Sequence, residues 1–160
     1  MEYRELLAHL ARFHQIDSEG MPTFKARIHI LRKVGVPPVE KVGKGARATF
    51  SADDLAELHL ALTMSEFGLS PLRIAQIMMP IRITTPWWPF TKHTDKWLII
   101  ALRASNAKLS DMDSSDVIQG ITIVGKENLE KDLKVYSGGV PTWNAVLSLS
   151  KIAENLRSVR

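Results

Sequence analysis

The charged residues of this chain that could hold a ligand fall together. Between Lys25 and Arg47 stand seven Lys or Arg (Lys25, Arg27, Arg32, Lys33, Lys41, Lys44 and Arg47) against one acid, Glu40, a net of +6 over 23 residues. The whole chain of 160 residues has 21 Lys and Arg against 17 Asp and Glu, net +4, so the rest of it is net negative. A basic helix face followed by a basic turn is the footprint of a phosphate-binding surface. The plain alternative is a solvated helix face beside an ordinary turn. No comparable concentration exists for covalent chemistry. His9, His14, His29, His59 and His93 are scattered. His93 and Asp95 are two metal ligands without partners, and Asp111, Asp113 and Asp116 lack the closing glutamate of a calcium loop. The run Gly43-Lys44-Gly45-Ala46 lacks the spacing and the Lys-Ser/Thr end of a P-loop, and no serine occupies a nucleophile elbow. With no cysteine, disulfides, thiolate metal sites and cysteine nucleophiles are excluded, which fits the cytoplasm. The sequence thus reads as a binding protein and not an enzyme, with no catalytic residue, metal site or cofactor.

The elements that must position these cations follow from periodicity and capping. Tyr3, Leu6, Leu7, Leu10 and Phe13 share one face of a first helix over 2–14, leaving Arg4, Glu5 and Arg12 wet. A polar break, IDSEGM, follows. Thr23 is the expected N-cap of a second helix over 24–34, with Phe24, Ile28 and Leu31 on its buried stripe. Lys25, His29, Arg32 and Lys33 then fall on its other side. Gly35 and Pro37-Pro38 end it, and residues 41–47 read as strand, glycine turn and strand, closing on Phe50. Ser51 caps a third helix with Asp53 and Asp54 in its first turn. Leu55, Leu58 and Leu62, with Met64 and Phe67, line its apolar side, and Gly68 stops it. Ser70-Pro71 opens a fourth, short helix bearing Leu72, Ile74, Ile77 and Met78, which Pro80 is expected to end.

Two helices followed by a basic hairpin make a helix-turn-helix with a wing, although the connection over 15–22 exceeds the usual 3–4-residue turn. The stretch GKGAR followed by FSADDLAELHLALTMSEFGLSPLRIAQIM resembles the wing and following helix pair of MerR-type regulators. Phe50, Ser51, Asp54, Leu55, Gly68, Leu69, Ser70 and Ile74 stand at matching spacing, and the helix over 24–34 with Gly35 takes the place of the recognition helix. The resemblance spans about residues 23–79. It implies a winged DNA-binding module, a bacterial, nucleoid-associated setting and a dimer. Ile30 and Leu31 replace the family's paired tyrosines, so those phosphate contacts do not carry over.

Residues 80–95 mix prolines and aromatics and read as a linker. Trp87 and Trp88 in it are a stacking platform for bases, a cage for a small ligand or, as tryptophan more often is, an anchor of the linker onto the core. Residues 96–104 and 120–125 are strand candidates. Residues 126–135 read as a short helix, or a helix running into a strand. Residues 142–159 read as a helix whose Leu149, Ile152, Leu156 and Val159 have coiled-coil spacing, either packing within the chain or forming a homodimer. No run approaches the ~20 apolar residues of a membrane span.

These observations give an α+β, mainly helical chain. A winged helix-turn-helix domain occupies 1–79, a Pro/Trp-rich linker 80–95, and a small α/β segment with a C-terminal dimerisation helix 96–160. The expected function is sequence-preferring binding of double-stranded DNA by a homodimer, as a cytoplasmic transcriptional regulator. The same module would serve a mobile-element factor in excision or packaging. A protein-interaction or ligand-sensing protein with an acidic partner is the alternative of another class. The expected DNA-binding residues are Lys25, Arg27, His29, Arg32, Lys33, Lys41, Lys44 and Arg47. Lys44 and Arg47 would hold phosphates, and Arg32 and Lys25 would face base edges. No effector ligand is specified by the sequence.

Overall fold

The computed structural model describes residues 1–38, 48–84, 96–103, 118–125 and 142–148, with residues 80–84 and the strands described by their backbone. Four helices come first, α1 (Tyr3–Phe13), α2 (Met21–Lys33), α3 (Ala52–Glu66) and α4 (Pro71–Thr84), then three strands, β1 (Lys96–Arg103), β2 (Ile118–Gly125) and β3 (Thr142–Ser148). The chain divides into two compact units, with the change at Met79 and Pro80.

α1, α2 and α3 end in the same way. After α1, the Ile16 N–H donates to the Ala11 carbonyl at 2.8 Å and Gln15 N–H to Arg12 at 3.3 Å. After α2, Val36 donates to Leu31 at 3.0 Å and Gly35 to Arg32 at 3.1 Å; after α3, Leu69 donates to Met64 at 3.2 Å and Gly68 to Ser65 at 3.0 Å. Each pair is a Schellman closure, which turns the chain through one left-handed residue and satisfies otherwise orphaned carbonyls. That residue is Gly35 (φ 85°) and Gly68 (φ 86°), and at α1 it is Gln15 (φ 53°). The apolar residue after the turn is buried at Val36 and Leu69, which tucks each exit onto the core.

Helix starts are equally local. At α3 the Ser51 side chain accepts from the Asp54 N–H at 3.1 Å, and the Asp54 carboxylate accepts from the Ser51 N–H at 2.7 Å. This reciprocal box satisfies two donors at once. Ser70 accepts from the Arg73 N–H at 3.3 Å, as a cap before Pro71 should. Thr23 does not cap α2. The N-cap is Gly20, whose N–H donates to the Asp17 carboxylate at 2.7 Å, and Pro22 sits in the first turn where its missing N–H is harmless. The connection between α1 and α2 is therefore residues 14–20.

α1, α2 and α3 pack against one another. Leu6 and Leu10 of α1, Phe24, Ile28 and Leu31 of α2, and Leu55, Leu58 and Leu62 of α3 are all buried. α3 is buried on every side, since Ala56, Leu60, Ala61 and Met64 are covered as well; it is the central helix. Phe67, expected on the apolar side of α3, is instead its C-cap residue and is exposed. α4 buries Ile74, Ile77 and Met78 and continues through Pro80 to Thr84. Pro80 was expected to stop this helix and to begin the linker. A proline within a helix removes one hydrogen bond and crowds one carbonyl, and a helix otherwise held by packing can run on past it.

Among the described residues of this unit, one backbone pairing outside the helices joins distant stretches. Glu2 and Thr49 form an antiparallel bridge. Beside it the Met1 ammonium donates to the Phe50 carbonyl at 2.8 Å, and the Phe50 N–H donates to the Met1 carbonyl at 2.9 Å. The residues 48–50 that leave the basic stretch are thus fixed to the start of α1. The wing expected over 41–47 lies outside the described residues.

The second unit contains an antiparallel sheet in the order β2-β1-β3. Its register aligns Leu98 with Ile123 and Leu147, and Ile100 with Ile121 and Ala145. After an irregularity between Ala101 and Leu102, Leu102 aligns with Ile118 and Trp143. All three levels are wholly apolar. β1 and β2 occupy the stretches expected as strands. β3 overturns the expected helix over 142–148. A short apolar run fits period 2 about as well as period 3.6; Thr142, Trp143 and Val146 favour strand, and pairing along β1 decides between them. The proposed dimer seam, Leu149, Ile152, Leu156 and Val159, lies outside the described residues, as do Trp87, Trp88 and residues 126–135.

Candidate functional site

α2 carries four cations, Lys25, Arg27, Arg32 and Lys33, and no acid. Its buried stripe (Phe24, Ile28, Leu31) fixes which way the helix is turned. At 3.6 residues per turn, Lys25, His29 and Lys33 follow one another at i, i+4 and i+8 along a single row about 12 Å long. All three are exposed, as is Arg27 on the opposite shoulder of the helix. Ile30 lies between them and is 45% exposed, an apolar group inside a basic face. No acid dilutes this face, and the cations of the last turn, Arg32 and Lys33, suit the negative end of the helix dipole. Chemically the row can hold anions at close spacing, and its length suits the floor of a groove.

Arg32 is placed differently from Lys25, Arg27, His29 and Lys33. It is half-buried, and its guanidinium carbon lies 5.7 Å from the centre of the Tyr3 ring and 5.0 Å from that of Phe50. The two rings are 6.1 Å apart and tilted by 45°, so the guanidinium caps the notch they form. Its Nε is buried and makes no hydrogen bond. The sequence expectation placed Arg32 on the same exposed face as Lys25; the structure turns it toward α1 and residue 50. Lys41, Lys44 and Arg47 lie outside the described residues.

A second polar cluster lies inside the helical unit. The Glu66 carboxylate meets His14 Nδ1 at 2.6 Å, and His14 Nε2 meets His59 Nδ1 at 2.9 Å. The His14 ring thus bridges Glu66 and His59 through its two nitrogens, the donor and acceptor roles following from its tautomer. His14 also packs its ring 5.8 Å from Phe24, and His59 lies 5.3 Å from Phe13. Thr63 donates to the His59 carbonyl at 2.9 Å. Burial, and then the neighbouring His14, hold the His59 imidazole down to about 4, so it is neutral at physiological pH. The atoms are strung in a line and do not converge, and among the described residues no group of three or more His, Cys, Asp or Glu could hold a metal ion. The cluster therefore ties the end of α1 to α3 beneath α2 and has no evident chemistry of its own.

Sequence reasoning missed both contacts. His14 and Glu66 are 52 residues apart, and Tyr3, Arg32 and Phe50 come from three separate stretches. The one local signal was His59 inside the apolar run Leu58–Leu62, a position from which an imidazole must find a partner. No family model matches this chain, and no curated protein or solved structure is significantly similar to it.

Proposed function

We propose that this protein binds double-stranded DNA with sequence preference, as a transcriptional regulator, through the exposed face of α2. The observation that carries this reading is the acid-free row of Lys25, His29 and Lys33, with Arg27 beside it, on a helix whose opposite stripe is locked into the core. A helix of 13 residues fits the major groove, where such side chains reach base edges and phosphates. Ile30 suits contact with a thymine methyl. The MerR-like spacing of Phe50, Ser51, Asp54, Gly68 and Ser70 supports a winged module, in which Lys44 and Arg47 hold backbone phosphates. Two copies acting together raise the affinity of a module with few contacts, with Leu149, Ile152, Leu156 and Val159 as the proposed seam.

Selection of bound duplexes from a randomised pool tests the reading. Enrichment of a motif is expected, with two related half-sites if the protein acts as a dimer. Salt-dependent binding without enrichment would make it an architectural or packaging factor. No binding at low salt would end the DNA reading.

A further inference from the structure

Arg32 is an unusual cation for its surroundings. It is half-buried, yet no ion pair of the described residues includes it. Its Nε has lost water without gaining a partner, a loss that ordinarily destabilises. The acids at the start of α1 are engaged with each other: Glu5 accepts from the Glu2 N–H at 2.9 Å, and the two close a capping box. What holds the guanidinium is the pair of rings, Tyr3 and Phe50, at 5.7 and 5.0 Å. Those rings are themselves fixed. Phe50 is buried and bound through both its N–H and its carbonyl to Met1, and Tyr3 is the first residue of α1.

We propose that Arg32 is a phosphate clamp, its guanidinium set in advance by the Tyr3–Phe50 ring pair to take one backbone phosphate of duplex DNA. A stacked, partly desolvated guanidinium has little conformational freedom left to lose and little hydration left to shed. It presents a planar fork that matches a phosphate's oxygens. An anion would also supply the charge balance that the described protein groups do not. The aromatic residues are positioning residues: they touch the cation and act on the phosphate only through it. This assignment differs from base reading by Arg32, and it rests on the proposal that α2 meets DNA.

The test measures binding of the full chain to a preferred and an unrelated duplex over a range of salt, with melting followed on the same samples. Arg32→Ala is expected to weaken both duplexes by about the same factor, tenfold or more, and to reduce the salt slope by about one. Arg32→Lys should keep the slope but not the affinity, since it keeps the charge without the fork. Tyr3→Leu should weaken both duplexes about threefold with the slope unchanged, through the lost cation–π contact. If Arg32→Ala does not fold, Arg32→Lys and Tyr3→Leu decide the matter. Weakening confined to the preferred duplex would make Arg32 a base reader and overturn the clamp. Binding equal to the parent in folded variants would leave Arg32 a packing group and overturn it too. A parent that binds neither duplex would refute the DNA reading itself, a result distinct from parent binding that the variants leave untouched.

Discussion

Phe24 stands on the buried stripe of α2, with the His14 ring 5.8 Å away. It is buried, and its removal would leave a cavity beneath the basic face, so Phe24→Ala should cost about 3–5 kcal/mol. For a unit of ordinary stability that is close to global unfolding, and a melt overlaying the parent's would show that this face is not core. His59 gives a second prediction at this scale. An unfolded histidine takes up its proton near pH ~6.5, whereas folded His59 does so only at about 4. Between those values the unfolded chain binds more protons. The contribution of His59 is therefore complete above the unfolded value and is lost as pH falls toward the folded one, about 3 kcal/mol in all. Urea unfolding at neutral pH and near the lower value should show this loss in the parent and much less of it in His59→Leu. An equal acid loss in both proteins would place the proton uptake elsewhere. Neither the histidine pair nor the Arg32 notch was legible in the sequence, because each depends on residues brought together from distant stretches by packing.

At the scale of elements, the Schellman closures offer a controlled comparison. Gly35 and Gly68 are left-handed, and a Cβ on either would meet nothing within 4 Å, so substitution there is strained only by backbone conformation. Gly68→Ala should cost about 1–2 kcal/mol. Gln15 already bears that strain at φ 53°, and Gln15→Gly should stabilise by up to about 1 kcal/mol. Denaturant midpoints check both, and a Gln15→Gly protein no more stable than its parent would show that other contacts hold the turn. Such features were legible because they are local: Ser51 with Asp54, Ser70 with Pro71, Gly35 and Gly68 each carry their own instruction. Reading failed where the outcome depended on a neighbour. Thr142–Ser148 becomes strand because β1 offers an edge to pair with, and α4 passes Pro80 although its residue type argues for a stop. Thr23 is a competent cap, but Gly20 with Asp17 starts α2 one turn earlier.

On the scale of the whole molecule, charge is concentrated on one helix and the stretch that follows it, while the remainder of the chain is net negative. If the protein binds duplex DNA as proposed, that asymmetry would orient it toward the polyanion before any contact forms. In the proposed complex the exposed row on α2 carries the attraction. The direct measurement is the dependence of duplex affinity on salt for the parent and for Lys25→Ala/Lys33→Ala, two exposed changes far from the core stripe. Each cation neutralising a phosphate releases a counterion, so the double variant should lower the slope of log K against log[salt] by about two and weaken all duplexes while melting as the parent does. A parent that binds duplex DNA with a steep slope that the double variant leaves unchanged would contradict the account, because the interface would then lie off the α2 face.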